Sequence, residues 1–190
     1  HTVMCQVVAE EMGIDPAHVS IQYDSTAAGL EDSGVGGSRA THVGGQAALG
    51  AARMLKEELA SRGGASGQPQ TAIGVEFNYP GRESPVACFT CQIAEVSIDP
   101  ETGQVALERI VSTHDVGTIV HPMLHQGQIE GGIASGVGFG LMEDMQIQEG
   151  RVGALHLGEY KLPTIADMPP LDTVLIHADE GPGPHNAKAI

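Results

Sequence analysis

One stretch constrains this chain more than any other: Asp32-Ser-Gly-Val-Gly-Gly-Ser-Arg-Ala-Thr-His-Val-Gly-Gly-Gln46, which runs straight into the helical pattern Ala47–Leu59. Glycines let backbone turn sharply and come close to a neighbour. The first-turn N–H groups of a helix have no intrahelical partner and point at whatever lies ahead. Glycines, Ser38, Arg39 and Thr41 ahead of a helix start therefore suit a cradle for an anion. The same composition also makes a plain connector with a helix cap, and spacing alone leaves both readings open. The stretch is not a P-loop, because no Gly-Lys-Ser/Thr follows. It is not the dinucleotide fingerprint either: Gly34-x-Gly36 lacks a third glycine at the right offset, and no βαβ unit surrounds it.

Such a cradle needs a reason in an acidic protein. The formal net charge is −15 over 190 residues. That balance disfavours nucleic acid and anionic membranes, which demand basic patches. Aromatic residues are 3% with no Trp, so a face that stacks bases is not expected. An anion would have to be held by local N–H groups and one or two cations. No apolar run approaches the roughly 20 residues that span a bilayer, so membrane insertion is not expected. A low, odd cysteine count (Cys5, Cys88, Cys91) points to a reducing, cytoplasmic setting. Cys88 and Cys91 are three apart in a strand pattern and face opposite sides, which argues against a metal or redox pair.

The length suits one good core or two small ones. Thr2–Met12 reads as a helix closed by Gly13, Asp15-Pro16 as a turn or a short helical start, His18–Tyr23 as a strand and 24–37 as loop. The clearest helix starts at Gly44 or Gly45 and runs to Ala60, with Gly63-Gly64 as its stop. Residues 64–70 form an exposed loop and a sub-boundary. Thr71–Asn78 reads as a strand. Val86–Ile98 and Val105–His114 form a hairpin around Asp99-Pro-Glu-Thr-Gly103, with Gly103 left-handed. A helix over Met123–Met142 carries Gly127, Gly131, Gly132, Gly136, Gly138 and Gly140, with Ile129, Ile133, Val137 and Leu141 as its stripe. Each interior glycine costs about 0.5–1 kcal/mol relative to Ala, so this helix is expected to be buried and closely approached. Met145–Gly153 reads as a strand and turn, 158–170 as connector, Thr173–Ala178 as a buried strand, and 181–188 as extended loop. The elements mix without strict alternation, so the class is α/β or α+β, with mixed sheets and packed helices.

Other constellations are less specific. His121 and His125 are four apart, but Pro122 between them makes His121 a helix-start residue, and no third metal ligand is forced. Gln128 is either a core amide or a ligand contact. Glu130 and Glu159 form a conceivable acid–base pair, though such residues usually sit on solvated faces.

Taken together and in order, the pieces resemble the molybdenum-binding subunit of the xanthine dehydrogenase and aldehyde oxidase family, the molybdenum hydroxylases. The matching segments are His1-Thr2 opening a helix, the Gly36–Ala47 run, Ala94–Gly103, and His114-Asp-Val-Gly with Pro122. They continue with Gly127-Gln-Ile-Glu-Gly-Gly132, Tyr160-Lys-Leu-Pro163 and Lys188-Ala-Ile190. The resemblance covers nearly the whole chain. It implies a molybdenum–molybdopterin cofactor in its cytosine dinucleotide form. Gly37, Ser38, Arg39 and Ala40 would contact that cofactor, Gln128 would meet its pterin and metal end, and Lys188 would lie near it. It also implies hydroxylation of an aldehyde or N-heterocycle with water as oxygen source. Electrons would leave through iron–sulfur and FAD groups on other subunits or domains. Two family motifs are not in this sequence: a Gly-Gln-Gly expected before His1 and a Gly-Glu expected after Ile190, whose Glu is the family's general base. No catalytic residue and no metal ligand is therefore assigned within 1–190. The chain is read as a fragment, inactive alone, that completes its pocket with the remaining segments of a molybdenum subunit.

Overall fold

Helix α1 spans Thr2–Met12 and ends as its sequence requires. Gly13 turns left-handed (φ 68°), its N–H reaches the Glu10 carbonyl, and the Ile14 N–H reaches the Ala9 carbonyl at 3.0 Å. Those two bonds are the Schellman closure that glycine makes cheap. The computed structural model describes residues 1–22, 25, 27, 34, 36–62, 72–81 and 88–189. They form an α+β fold that divides into two units.

The first unit comprises 1–88, 116–121 and 177–189. Pro16–His18 is a short 3-10 turn capped by the Asp15 carboxylate on the Ala17 N–H. A wide π turn over Ala40–Gly44 leads into α2, Gly45–Ser61. Val7 and Ala9 of α1 and Leu49 and Ala52 of α2 are buried, and the two helices pack on each other. Glu11 of α1 takes Arg53 and Lys56 of α2, a half-exposed cluster that orients the pair more than it stabilises it. Gly50 leaves room for the Phe77 ring edge.

The second unit comprises 89–115 and 122–176. Strands β1 (Thr90–Ile98) and β2 (Val105–Gly117) pair antiparallel, and β2 runs on into the first unit. The Asp99 carboxylate closes their turn by accepting the Glu101 and Thr102 N–H groups, which hold its pKa below the ordinary value, and Gly103 is left-handed at φ 73°. Helix α3 (Pro122–Val137) ends in a second π turn, Gly138–Met142. The short strands β3 (Ile147–Gln148) and β4 (Arg151–Val152) make a hairpin. Helix α4 (Leu157–Tyr160), a 3-10 turn (Ile165–Asp167) and β5 (Leu171–His177) follow. The sheet order is β1-β2-β5. Its core is Ile110 against Ile129, Ile133 and Val137 of α3, ringed by Leu107, Met168, Leu171 and Leu175.

Several expectations change. Residues 19–22 and 72–78 belong to no strand: an alternating pattern makes a strand only where a partner backbone completes its ladder. The strand expected over Thr173–Ala178 is β5, and it is half-buried, with Val174 and Ile176 facing outward. The connector after 157 carries two short helical turns. The α3 glycines are not closely approached: a Cβ at Gly127, Gly131, Gly132, Gly136 or Gly140 would meet nothing within 4 Å. Only Gly138 is pressed, by Pro163 and the Glu143 carboxylate. Most of the loop expected at 24–37, the Gly63-Gly64 stop, the loop at 64–70, Thr71 and Val86–Ala87 lie outside the described residues.

Candidate functional site

The glycine-rich run folds into a tight turn against the start of a helix. Gly37 and Ser38 are both left-handed, at φ 63° and 57°, and Arg39 returns to the right-handed region at φ −84°, ψ −4°. Successive residues of opposite hand aim their N–H groups into one concavity, the arrangement that binds anions. For Ser38 the left-handed conformation costs about 1–2 kcal/mol, so the surrounding structure has to hold it. Arg39 does part of this. Its Nε and Nη2 both donate to the Gly34 carbonyl, at 3.0 and 2.7 Å, and tie the loop to the helix start. Ala40 opens the π turn, a form over-represented at functional sites.

A second strained turn lies in the same unit, in the terminal segment 181–189. His185 and Asn186 are left-handed in succession, at φ 50° and 68°. Gly181 and Gly183 make this possible, because a Cβ at either would fall on the Asn186 or Ala187 carbonyl. The segment is anchored on both sides. Gln46 Nε2, from the first turn of α2, donates to the Pro182 carbonyl at 2.8 Å, and Pro184 sits 2.6 Å from where a Gly45 Cβ would be. The left-handed Gly117 bridges Ala187, Thr118 N–H donates to the Asn186 carbonyl, and Lys188 N–H donates to the Val116 carbonyl at 3.0 Å. The Cys88 thiol donates to the Ala189 carbonyl at 2.8 Å. Lys188 is thereby buried, at 5% exposure.

This unit also holds buried polar atoms that no group among the described residues satisfies: Gln6 Oε1, His42 Nε2 and His185 Nε2. Gln6 is fixed through its other end, since Nε2 donates to the Val120 carbonyl. His42 lies in the π turn with its ring tilted toward Tyr79 at 6.2 Å between centroids. An unsatisfied buried polar atom costs about 1–3 kcal/mol, and a polar ligand or an ordered water reaching these three would satisfy them. A groove of about 600 Å³ in the same unit, lined by Glu57, Glu58, Arg62 and residues 72–76, is a poor rival because its wall is acidic.

Gly37, Ser38, Arg39, Ala40 and Lys188 thus all fall in the first unit, whereas Gln128 is in the second, exposed on α3. The carboxylates of Glu130 and Glu159 are engaged locally: Glu130 accepts from Gln126 Nε2, and Glu159 accepts the Leu155 N–H and pairs with His156. Pro122 opens α3, directly after His121. Sequence reasoning missed Gln6, His42, Gln46 and His185. Gln46 and His185 carried a usable signal, being the polar residues next to glycine and proline clusters. Gln6 and His42 carried none, because their exposure is decided by packing.

The second unit adds a polar chain on the α3 side of its sheet. Gln92 Nε2 donates to Ser112 Oγ at 3.0 Å, Ser112 Oγ meets His114 Nε2 at 2.7 Å, and His114 Nδ1 meets Thr90 Oγ1 at 3.3 Å. Ser112 is fully buried, and burial pushes the His114 pKa below its ordinary value.

Comparison with known proteins shows the family. The chain matches the Molybdopterin cofactor-binding domain family over residues 1–75 and 65–169. It is 28% identical to the xanthine dehydrogenase molybdenum-binding subunit of Escherichia coli, covering all of this chain and 30% of that protein. It is 27% identical to the nicotine 6-hydroxylase large subunit of Paenarthrobacter nicotinovorans, covering 90% of this chain and 26% of that protein. The fold superposes on reconstituted CO dehydrogenase from Oligotropha carboxidovorans with a TM-score of 0.83 at 22% identity, over all of this chain and 28% of that one. Quinoline 2-oxidoreductase from Pseudomonas putida gives a TM-score of 0.80 at 23% identity, covering 99% of this chain and 29% of that one. The chain therefore spans about 30% of the length of these relatives.

Proposed function

The chain belongs to the molybdopterin cofactor-binding domain family, and from that premise we propose that its first unit grips the phosphate-bearing arm of a molybdenum–molybdopterin cofactor, in the cytosine dinucleotide form, within a longer molybdenum hydroxylase subunit. The observation that carries this reading is the Gly37–Ser38–Arg39 turn, where left-handed Gly37 and Ser38 give way to right-handed Arg39 at a helix start, a backbone reversal suited to an anion in a chain of net charge −15. The orphaned Gln6, His42 and His185 atoms in the same unit fit a polar ligand rich in donors and acceptors.

The residues divide the work. The N–H groups around Gly37, Ser38 and Ala40 meet the anion at no cost in reorganisation. Arg39 braces the loop from behind through Gly34. Lys188 contributes positive charge in a low-dielectric setting, where it counts for more than on the surface. Gln128, on the exposed face of α3, offers an amide to the pterin end. When bound, the molybdenum centre supplies the redox chemistry of hydroxylating an aldehyde or N-heterocycle with water as the oxygen source. This reading assigns no general base within residues 1–190. Iron–sulfur and flavin partners carry the electrons away, and the naming of relatives as molybdenum-binding or large subunits supports such an assembly. The setting is cytoplasmic. Among the described residues, no helix is long and apolar enough to cross a membrane.

The test is cofactor content of the intact complex carrying Arg39→Ala or Gln128→Ala. Molybdenum and cytidine monophosphate released by acid are expected to fall at least tenfold for Arg39→Ala, and molybdenum to fall for Gln128→Ala. Unchanged content in both variants would sink the reading. Nucleotide without molybdenum in the unsubstituted complex would replace it with a non-catalytic nucleotide-binding module.

A further inference from the structure

Residues 72–80 of the first unit have every property of a strand except a partner. They contain no turn, bend or helix. Their side chains alternate: Ile73, Val75 and Tyr79 are half-buried, whereas Ala72, Gly74 and Glu76 face out. Two contacts hold the segment in place, the Phe77 ring against Gly50 of α2 and Tyr79 beside His42. What is missing is the ladder. No backbone N–H or C=O of 72–80 bonds to another described residue. Such a row of unpaired groups is a template for another strand. The row opens onto a defined place. Residues 72–76 form one wall of the 600 Å³ groove, and Met54, Glu57, Glu58 and Arg62 of the last turns of α2 and its cap form the other. Successive strand side chains point to opposite faces, so five consecutive residues share a wall through their backbone edge. The groove is also anionic. Arg62 is taken by Glu58 one turn back, while Glu57 and Glu76 have no ion-pair partner among the described residues. The C-terminal end of α2 adds the negative pole of its dipole.

We infer that this groove takes an extended segment of a separate partner protein, with Lys or Arg at alternate positions, which adds as a strand to the 72–76 edge. Main-chain bonds to the bare edge supply the affinity, and basic side chains reaching Glu57 and Glu76 choose the partner. The alternation matters because one face of an added strand lies toward α2 and the other beside Glu76. A second copy of this chain is the poorer occupant: pairing edge to edge would bring two sets of the same carboxylates together, in molecules of net charge −15. None of these residues belongs to the Gly37–Ala40 nest.

The probe is a synthetic peptide of alternating Lys and Val, as long as 72–80, added to the full-length protein purified free of other chains. Amide hydrogen exchange over 72–80 is read by mass spectrometry at low salt. Exchange is expected to be fast in the protein alone and to slow at least tenfold when the peptide saturates. The same peptide with alternate backbone amides N-methylated is expected to give no protection, because it cannot complete a ladder. Glu57→Gln combined with Glu76→Gln is expected to weaken binding of the unmodified peptide at least fivefold. Slow exchange before any peptide is added would overturn the inference, since the edge would then be paired within the protein or, if exchange speeds up on dilution, by a second copy. Equal protection by the N-methylated peptide would overturn the strand addition, and unchanged binding to the double variant would overturn the choice of a basic partner.

Discussion

Glycines are used in opposite ways in the two units. In the first, Gly45, Gly117, Gly181 and Gly183 lie against proline rings or carbonyl oxygens, and any side chain there would strike backbone or a packed ring. In the second, Gly127, Gly131, Gly132 and Gly136 of α3 point into open space. The first set is explained by contacts within the chain, because it lets residues 181–189 lie down beside Gly117 and the start of α2. The second set is not. Glycine in a helix costs stability, and nothing among the described residues gains from it. On the cofactor reading, that stripe keeps a clear face beside Gln128 for something that arrives from outside.

Substitutions can break this contrast. Gly117→Ala is expected to cost the most, roughly 2–4 kcal/mol, because it combines a left-handed backbone with a clash on the Asn186 carbonyl. Urea midpoints within experimental error of the parent would show that the seam is looser than drawn. Ile133→Ala, in the α3 core, should cost about 2–4 kcal/mol without touching the glycine stripe, and equilibrium unfolding measures it. Gly136→Ala should stabilise the 190-residue chain by about 0.5–1 kcal/mol. In the assembled subunit the same change is expected to lower molybdenum content. A stability loss in the isolated chain would mean the face is already covered.

His114 offers a pH-dependent comparison. Its folded pKa lies below the unfolded value of about 6.5, so the folded state binds fewer protons in that window. The contribution is complete above about pH 6.5 and is lost as pH falls from there toward the folded pKa. Unfolding midpoints between pH 7 and 5 should decline less steeply in His114→Gln; parallel slopes would dismiss the Ser112–His114 chain as a source of pH sensitivity. The smallest effect is expected from Arg109→Ala, under about 1 kcal/mol, because its pair with Asp172 is half-exposed on both sides.

Much of this molecule was legible before its structure. The helices Thr2–Met12 and Gly45–Ser61 announce themselves by period, the first also by its Gly13 stop, and the 90–117 hairpin by the Asp99–Gly103 turn, because local rules suffice there. The strands expected over 18–23 and 71–78 are not formed at the described residues 18–22 and 72–78 for the opposite reason: alternation in a sequence names a face but not a partner. The anion loop was visible as composition, yet the pairing of left-handed Gly37 with left-handed Ser38 was not, since serine does not advertise that conformation. Arg39 looked like a ligand cation, and its first task proved to be bracing Gly34.

The sequence alone determined the elements whose hydrogen bonds close within a few residues, along with the charge balance and the family motifs. Tertiary structure decided what each element faces. It set residues 181–189 beside Gly117 and the start of α2 through Gln46, and among the described residues it left the glycine face of α3 open. Burial is a sum over residues far apart in the chain, so no window of sequence contains it.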